Sequence, residues 1–332
     1  MDSPGKTVLV TGATGLLGRA VVAALASSPH AVAATGWSRV PAPGDSPFPS
    51  VTWHKADLTD PDARTALLAD VAPHAILHLA AERRPDACKD PDRLAAFNVE
   101  LPRALAEHAA ASGAWLLYIS TDYVFPGSNP PYAEDATPAP LNDYGVSKAA
   151  GEDAVRLAAP ECATILRVPI LYGSIESLGE SALTAIAEPL RDLEHDTRPL
   201  LIDNWAARFP THVDDVARVI AALLALPVAD LAGTLHFSGS EQTTKYKVAL
   251  LMLDILGLAE SHIALIAPNP NPPPGAPRPQ NAQLSCARLL ALLNAADLAD
   301  LSTPLIDGLT AALQPFASDF RRPATTATAD LS

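Results

Sequence analysis

The sequence predicts an α/β protein: a doubly wound parallel sheet followed by a smaller C-terminal region of substrate-binding type. Three observations point there. Short apolar runs alternate with longer amphipathic ones through the first half of the chain, a glycine-rich turn follows the first run directly, and the alternation breaks down after about Tyr172. Parallel neighbours need crossovers of roughly a dozen residues or more, so this rhythm builds a sheet with helices on both faces.

Thr7–Val10, Ala31–Thr35, Val51–His54, Ala75–Leu79, Trp115–Ile119 and Thr164–Val168 are mostly apolar runs and read as buried strands. Amphipathic stretches at Leu16–Ala26, Pro61–Val71, Leu94–Ala111 and Asn142–Leu157 read as the helices between them. Residues 1–172 then form the nucleotide-binding unit, residues 173–320 a smaller region, and residues 321–332 a small, polar, disordered tail. Segment 208–237 is expected to return to the first unit. In the second region a helix is expected from Glu176 to about Asp192, another over Val213–Leu226, a strand at Thr234–Phe237 and a helix around Thr243–Leu256. Ala267–Pro279 holds Pro268, Pro270, Pro272, Pro273, Pro274, Pro277 and Pro279. Such a segment is neither helix nor central strand and reads as a surface crossing with polyproline II character.

Composition narrows the function. Lys plus Arg total 23 against 37 Asp plus Glu, a formal charge of −14. Nucleic acid and anionic membranes both call for a basic face, so this balance argues against either as a partner. An anionic ligand is then held by a few placed cations and by backbone N–H groups. Cys88, Cys162 and Cys286 lie far apart without a C-x-x-C pair, which argues against a disulfide framework or zinc site and fits a reduced compartment. No stretch approaches the roughly 18 uninterrupted apolar residues of a membrane span. Met1–Lys6 leads straight into the first strand, without room for a signal peptide. A cytoplasmic protein without metal is the expectation.

The run Thr11-Gly12-Ala13-Thr14-Gly15-Leu16-Leu17-Gly18 joins the first strand to the first helix. Gly12 permits the tight turn, Gly15 lets a pyrophosphate approach the backbone, and Gly18 lets the helix pack close to the sheet. Phosphates then meet unpaired N–H groups at the positive helix end. This is a Rossmann dinucleotide site by context, with G-x-x-G-x-x-G spacing in place of the commoner G-x-G-x-x-G. The second strand ends Gly36-Trp37-Ser38-Arg39, with no acid to accept from a ribose 2′-OH. Arg39, helped by Ser38, is placed to pair with a 2′-phosphate, which favours NADP; a solvated loop arginine is the alternative.

Ser120-Thr121-Asp122 closes the fifth strand, and Tyr144 and Lys148 follow four residues apart on one helical face. A lysine ammonium beside a phenol favours the phenolate, so Thr121, Tyr144 and Lys148 read as a reductase triad with Thr121 (or Ser120) orienting a carbonyl. Lys148 and Tyr144 also serve to bind the cofactor ribose. Leu79 ends the fourth strand, and Arg83 and Arg84 follow at the carboxyl edge where ligands bind; at most one of these arginines reaches the site. His74 and His78 share a strand without a third ligand and read as packing residues.

VLVTGATGLLGRAV, HLAAERRPD, STDYVF, NPPY, PAPLNDYG, LRVPILYG, RFPTHVDDVA, HFSGSEQTTKY and RPQNAQL together resemble the extended short-chain dehydrogenase/reductases of the dTDP-4-dehydrorhamnose reductase type. Within that family AAERRPD, RFPTHV and SGSEQTTKY are similar to the regulatory β subunits of methionine adenosyltransferase. The resemblance runs from Val8 to about Leu284. It implies that Asp57 and Leu58 border the adenine, and that Arg208 and Arg278 face a substrate-type pocket. It further implies an NADP-binding, non-catalytic subunit that docks on the catalytic subunit of a methionine adenosyltransferase and tunes S-adenosylmethionine formation. Two departures stand out. The β subunits end in a basic, aromatic-rich stretch that takes part in docking, whereas this chain carries no aromatic after Phe320. The long proline segment is the second. The intact Thr121, Tyr144 and Lys148 keep a second reading open, an NADPH-dependent reductase of a 4-keto nucleotide sugar.

Overall fold

The computed structural model describes residues 5–42, 44–83, 90–191, 193, 198–258, 260–293 and 301–320. Its first half runs β1 (Thr7–Thr11), α1 (Leu16–Ala26), β2 (Ala31–Gly36), β3 (Val51–Lys55), α2 (Pro61–Val71), β4 (Ala75–His78), α3 (Pro91–Ala95), a π-helical turn (Ala96–Glu100), α4 (Leu101–Ser112), β5 (Trp115–Thr121), α5 (Asp143–Ala158) and β6 (Ala163–Val168). The second half adds β7 (Leu171–Tyr172), α6 (Ala187–Leu190), β8 (Leu200–Asp203), β9 (Thr211–His212), α7 (Val213–Leu224), α8 (Val228–Leu231), β10 (Gly233–His236), α9 (Lys245–Ile255), β11 (Ile266–Asn269), α10 (Ala287–Leu292) and α11 (Leu305–Leu313).

Seven strands form one sheet in the order β10-β6-β5-β4-β1-β2-β3, every neighbouring pair parallel. The pleat sorts side chains to two faces. Val8 and Val10 point to a core shared with α1 and α7, through Val21, Leu25, Val216 and Ile220. Leu9 points the other way, to a core with Leu67 and Leu68 of α2, Leu105 of α4 and Val155 of α5. Helices thus cover both faces, which is why β4 and β6 are buried along their whole length. The strand β10 joins this sheet beside β6, after α7 has packed on the face that carries α1. A separate core around Tyr172, Leu183, Ile202, Val248, Met252 and Leu309 forms the second region. Among the described residues no helix is long and apolar enough to cross a membrane.

Helices begin and end where local chemistry dictates. Asp60 caps α2 by accepting from the N–H groups of Asp62 and Ala63 at 2.9 and 3.4 Å, and Pro61 follows at the first helical position. Gly113 closes α4 at φ 74°.

Three expectations need correction. The helix expected from Glu176 to Asp192 is broken into 3₁₀ turns at Leu178–Glu180 and Thr184–Ile186 followed by α6; Asp192 itself lies outside the described residues. Ser181 Oγ donates to the Leu171 carbonyl at 2.7 Å and Thr184 Oγ1 to that of Leu178 at 2.8 Å. These hydroxyls tie the segment to its surroundings in place of a helical ladder, around a glycine at position 179. The single helix expected over Leu94–Ala111 is interrupted by the π turn at Asn98. Part of the proline segment is a strand, since Pro268 sits opposite Ile202 in the parallel β8–β11 pair. Both strands of that two-stranded ribbon are edges, so a missing N–H is tolerated. Helices α10 and α11 were not expected. The tail 321–332, Arg84 and Cys88 lie outside the described residues.

Candidate functional site

The strand order reverses direction at β1, whose neighbours are β2 and β4, and crevices for ligands open at such switch points. Thr11 pins the crevice floor. Its hydroxyl lies 2.7 Å from His78 Nδ1 and accepts from the Leu79 N–H at 3.3 Å, while its carbonyl also accepts from that N–H. Gly12 turns at φ 65°, and a Cβ there would lie 2.8 Å from the Ala80 nitrogen. At Gly18 a Cβ would meet the Gly12 carbonyl at 2.1 Å, whereas one at Gly15 would meet only that oxygen, at 3.3 Å. The turn and helix therefore need glycine at 12 and 18 for their own packing, while Gly15 leaves an open face. Helix α1, opening with Leu16, Leu17 and Gly18, has no side-chain cap and no acid in its first turn. An uncapped, acid-free helix start beside a bare backbone face fits a dinucleotide pyrophosphate.

At the end of β2, Trp37 is half exposed, its ring 6.1 Å from Phe97, and the Arg93 guanidinium lies over both rings. Ser38 is exposed beside it. Arg39 makes a 2.7 Å ion pair with Glu176. Asp57 Oδ1 accepts from the N–H and hydroxyl of Thr59, and Leu58 is buried behind it. Arg83 donates to the Glu180 carbonyl at 2.7 Å. Glu180 in turn takes both ends of the Arg19 guanidinium, at 2.7 and 2.8 Å. Segment 174–180 thus spans the mouth of the phosphate loop, a contact that sequence spacing gave no sign of.

Thr121, Tyr144 and Lys148 come together between the end of β5 and the first turns of α5, which Asn142 caps through the Gly145 N–H at 2.9 Å. Burial pushes the Tyr144 phenol well above its usual range; the adjacent Thr121 hydroxyl favours the phenolate but does not offset that. Lys148 differs from expectation. Its Nζ donates to the Ile119 carbonyl at 2.7 Å and sits 3.9 Å from the Tyr118 ring centre, and burial pulls its pKa down to about 7, against the pull of Glu152. The groups that act on the Tyr144 phenol are Thr121, Asp122, Tyr123 and Arg83, while Lys148 is held on the Ile119 carbonyl and the Tyr118 face.

One group behind the triad escaped sequence reasoning. Asn98, fully buried in the π turn, exchanges hydrogen bonds with both backbone groups of Glu82, donates to Ser147 Oγ at 2.9 Å, and accepts through its own carbonyl from the Tyr118 hydroxyl. No motif announces it; only a break in helical periodicity would. His78, read as a packing residue, stacks on Tyr118 at 5.7 Å, and burial pulls it down to about 3, so it stays neutral. His74 accepts from the Thr7 N–H.

Arg208 and Arg278 arrive beside Asp122 and Tyr123, at the other end of the crevice. The Arg208 backbone pairs with Thr243 in both directions at 2.9 Å. Its Nη1 donates to the Ala207 and Pro279 carbonyls, while Nη2 is buried without a hydrogen-bond partner among the described residues. Burial pushes Asp122 up to about 6, opposed by the Arg208 charge, and Arg278 bonds the Tyr123 phenol. The ring of Tyr123 meets Tyr144 edge-on at 5.9 Å. A buried guanidinium with an unused donor, one ring away from Tyr144, suits a polar or anionic substrate group.

Comparison with known proteins bears on this arrangement. A family model described as the RmlD substrate binding domain matches residues 6–298. The chain is 41% identical over 324 residues to the methionine adenosyltransferase 2 subunit beta of Mus musculus, covering 97% of this chain and 91% of that one. It is 35% identical over 258 residues to the dTDP-4-dehydrorhamnose reductase of Streptomyces griseus, covering 76% and 77%. Among solved structures, the dTDP-4-dehydrorhamnose reductase of Bacillus anthracis in complex with NADP matches with a TM-score of 0.71 at 24% identity, over 95% of this chain and all of that one.

Proposed function

The chain belongs to the RmlD substrate binding domain family and, within it, with the beta subunits of methionine adenosyltransferase 2, and from that membership we propose that it is an NADP-binding regulatory subunit of a methionine adenosyltransferase. The observation that carries the reading is the extent of the likeness: 41% identity over 97% of the chain, both regions included. The partner is the S-adenosylmethionine-forming catalytic subunit, and the setting is the cytoplasm.

NADP supplies a nicotinamide hydride carrier and a 2′-phosphate. Gly12, Thr14, Gly15, Leu16, Leu17 and Gly18 would hold its pyrophosphate, and Trp37, Ser38 and Arg39 the phosphorylated ribose. Asp57 and Leu58 would border the adenine, and Leu79 and Arg83 the middle of the molecule. Tyr144 and Lys148 would bind the nicotinamide ribose, a role that asks for hydrogen bonds and not for an ionised phenol. The neutral Tyr144 phenol and the Lys148 ammonium on the Ile119 carbonyl supply the donors for that role.

A second reading, an NADPH-dependent reductase of a 4-keto nucleotide sugar, draws on one observation: the unused, buried Nη2 of Arg208 beside Asp122 and Tyr123. Gel filtration with the catalytic subunit and NADPH oxidation against dTDP-4-dehydro-6-deoxyhexoses separate the two. The regulatory reading expects co-elution and no oxidation above a Tyr144→Phe control. Separate elution at micromolar concentrations would reject it, and oxidation well above the control would establish the reductase.

A further inference from the structure

The second strand ends without an acid, but the fold brings one there from 137 residues away. Glu176 Oε2 lies 2.7 Å from Arg39 Nη1 and 3.6 Å from Arg19 Nη1. Its position is set by a chain of contacts that begins at the phosphate loop. Arg19 donates to the Thr14 carbonyl at 3.1 Å and to the Ser174 carbonyl at 3.2 Å. It also clasps Glu180, whose Oε2 accepts from the Glu176 N–H at 2.8 Å. The carboxylate therefore stands on the same cation that the sequence offers to a 2′-phosphate.

A carboxylate at this point accepts a hydrogen bond from a free ribose 2′-OH, and it repels a 2′-phosphate while competing for its guanidinium. We propose that Glu176 and Arg39 together read the 2′ position of the bound dinucleotide, Arg39 favouring the phosphate of NADP and Glu176 the hydroxyl of NAD. The pair sets a discrimination smaller than Arg39 alone would give. This rests on the dinucleotide-binding reading above and deepens it: Glu176 is a specificity determinant contributed by the second region.

Both side chains are open to solvent, 64% exposed for Arg39 and 51% for Glu176, so removing the carboxylate leaves the fold intact and moves affinity by a modest factor. Titration calorimetry of NADP⁺ and NAD⁺ on the full chain, at one ionic strength, supplies the test. For Glu176→Gln, NADP⁺ should bind roughly 1.5- to five-fold tighter, the range of one exposed charge pair with its phosphate, while NAD⁺ binds equally or more weakly. For Arg39→Gln the ratio should move towards NAD⁺. If Glu176→Gln leaves the NADP-to-NAD ratio unchanged, or shifts it towards NAD⁺, the inference is wrong and Glu176 merely aims Arg39. If the unaltered chain binds neither dinucleotide, the cofactor reading fails first and takes this one with it.

Discussion

Lys148 is an ionisable side chain held almost wholly out of water. It is buried within the triad, its charge opposed by desolvation and held by one carbonyl and one aromatic face. Its folded pKa, about 7, lies below the unfolded value near 10.4. Below pH 7 both states hold the proton and the folded state bears the whole cost of burying it. Between pH 7 and 10 the unfolded chain binds more protons than the folded one, so this cost falls and the Lys148 contribution to stability rises with pH. Lys148→Met should therefore unfold at higher denaturant than the unaltered chain at pH 6, with the gap narrowing by on the order of 2–3 kcal/mol by pH 9. Denaturant melts at the two pH values check this. A gap that stays constant would mean that Lys148 keeps its proton throughout.

The strand–loop–helix element makes a separate claim, that two of its glycines do different jobs. Gly18 touches the loop itself, with a would-be Cβ 2.1 Å from the Gly12 oxygen and 2.6 Å from Ala13 Cα. Gly18→Ala must push α1 from the sheet, at a cost of roughly 1–3 kcal/mol. Gly15→Ala meets far less protein and should melt close to the unaltered chain, yet lose most dinucleotide affinity because the methyl stands where the phosphates approach. Thermal melts and NADP⁺ titrations of both variants decide it; equal melting losses would remove the distinction. Elements of this local kind were legible in the sequence. The bounds of α1 and α2 match expectation because Gly15, Asp60 and Pro61 act on their own neighbours. The helix expected after Glu176 failed because Ser181 and Thr184 bond carbonyls outside any helical ladder. Asn98 stayed hidden because its partners, Glu82 and Ser147, lie 16 and 49 residues away. Thr121, Tyr144 and Lys148 were singled out by their spacing and their place after the fifth strand, but the direction in which Lys148 points was not legible, since the Ile119 carbonyl that holds it is set by β5.

At the scale of the whole molecule, the two regions meet across the phosphate loop. Arg19 of α1 holds Glu180, and Arg83 donates to the Glu180 carbonyl. A ligand on the loop would lie beside these contacts, which join the phosphate loop to the second region. In the regulatory reading proposed above, these contacts are the route by which a bound dinucleotide would influence a partner without turnover. The formal charge of −14 leaves partner recognition to placed groups and shape and not to a basic face. The most direct test of the regulatory account is the steady-state rate of S-adenosylmethionine formation by the catalytic subunit from the same organism, titrated with this chain in the presence of NADP⁺. A saturable change in rate or in methionine KM, reached near one binding equivalent, is the predicted result. A rate and KM that stay flat up to a large excess of the chain would contradict it.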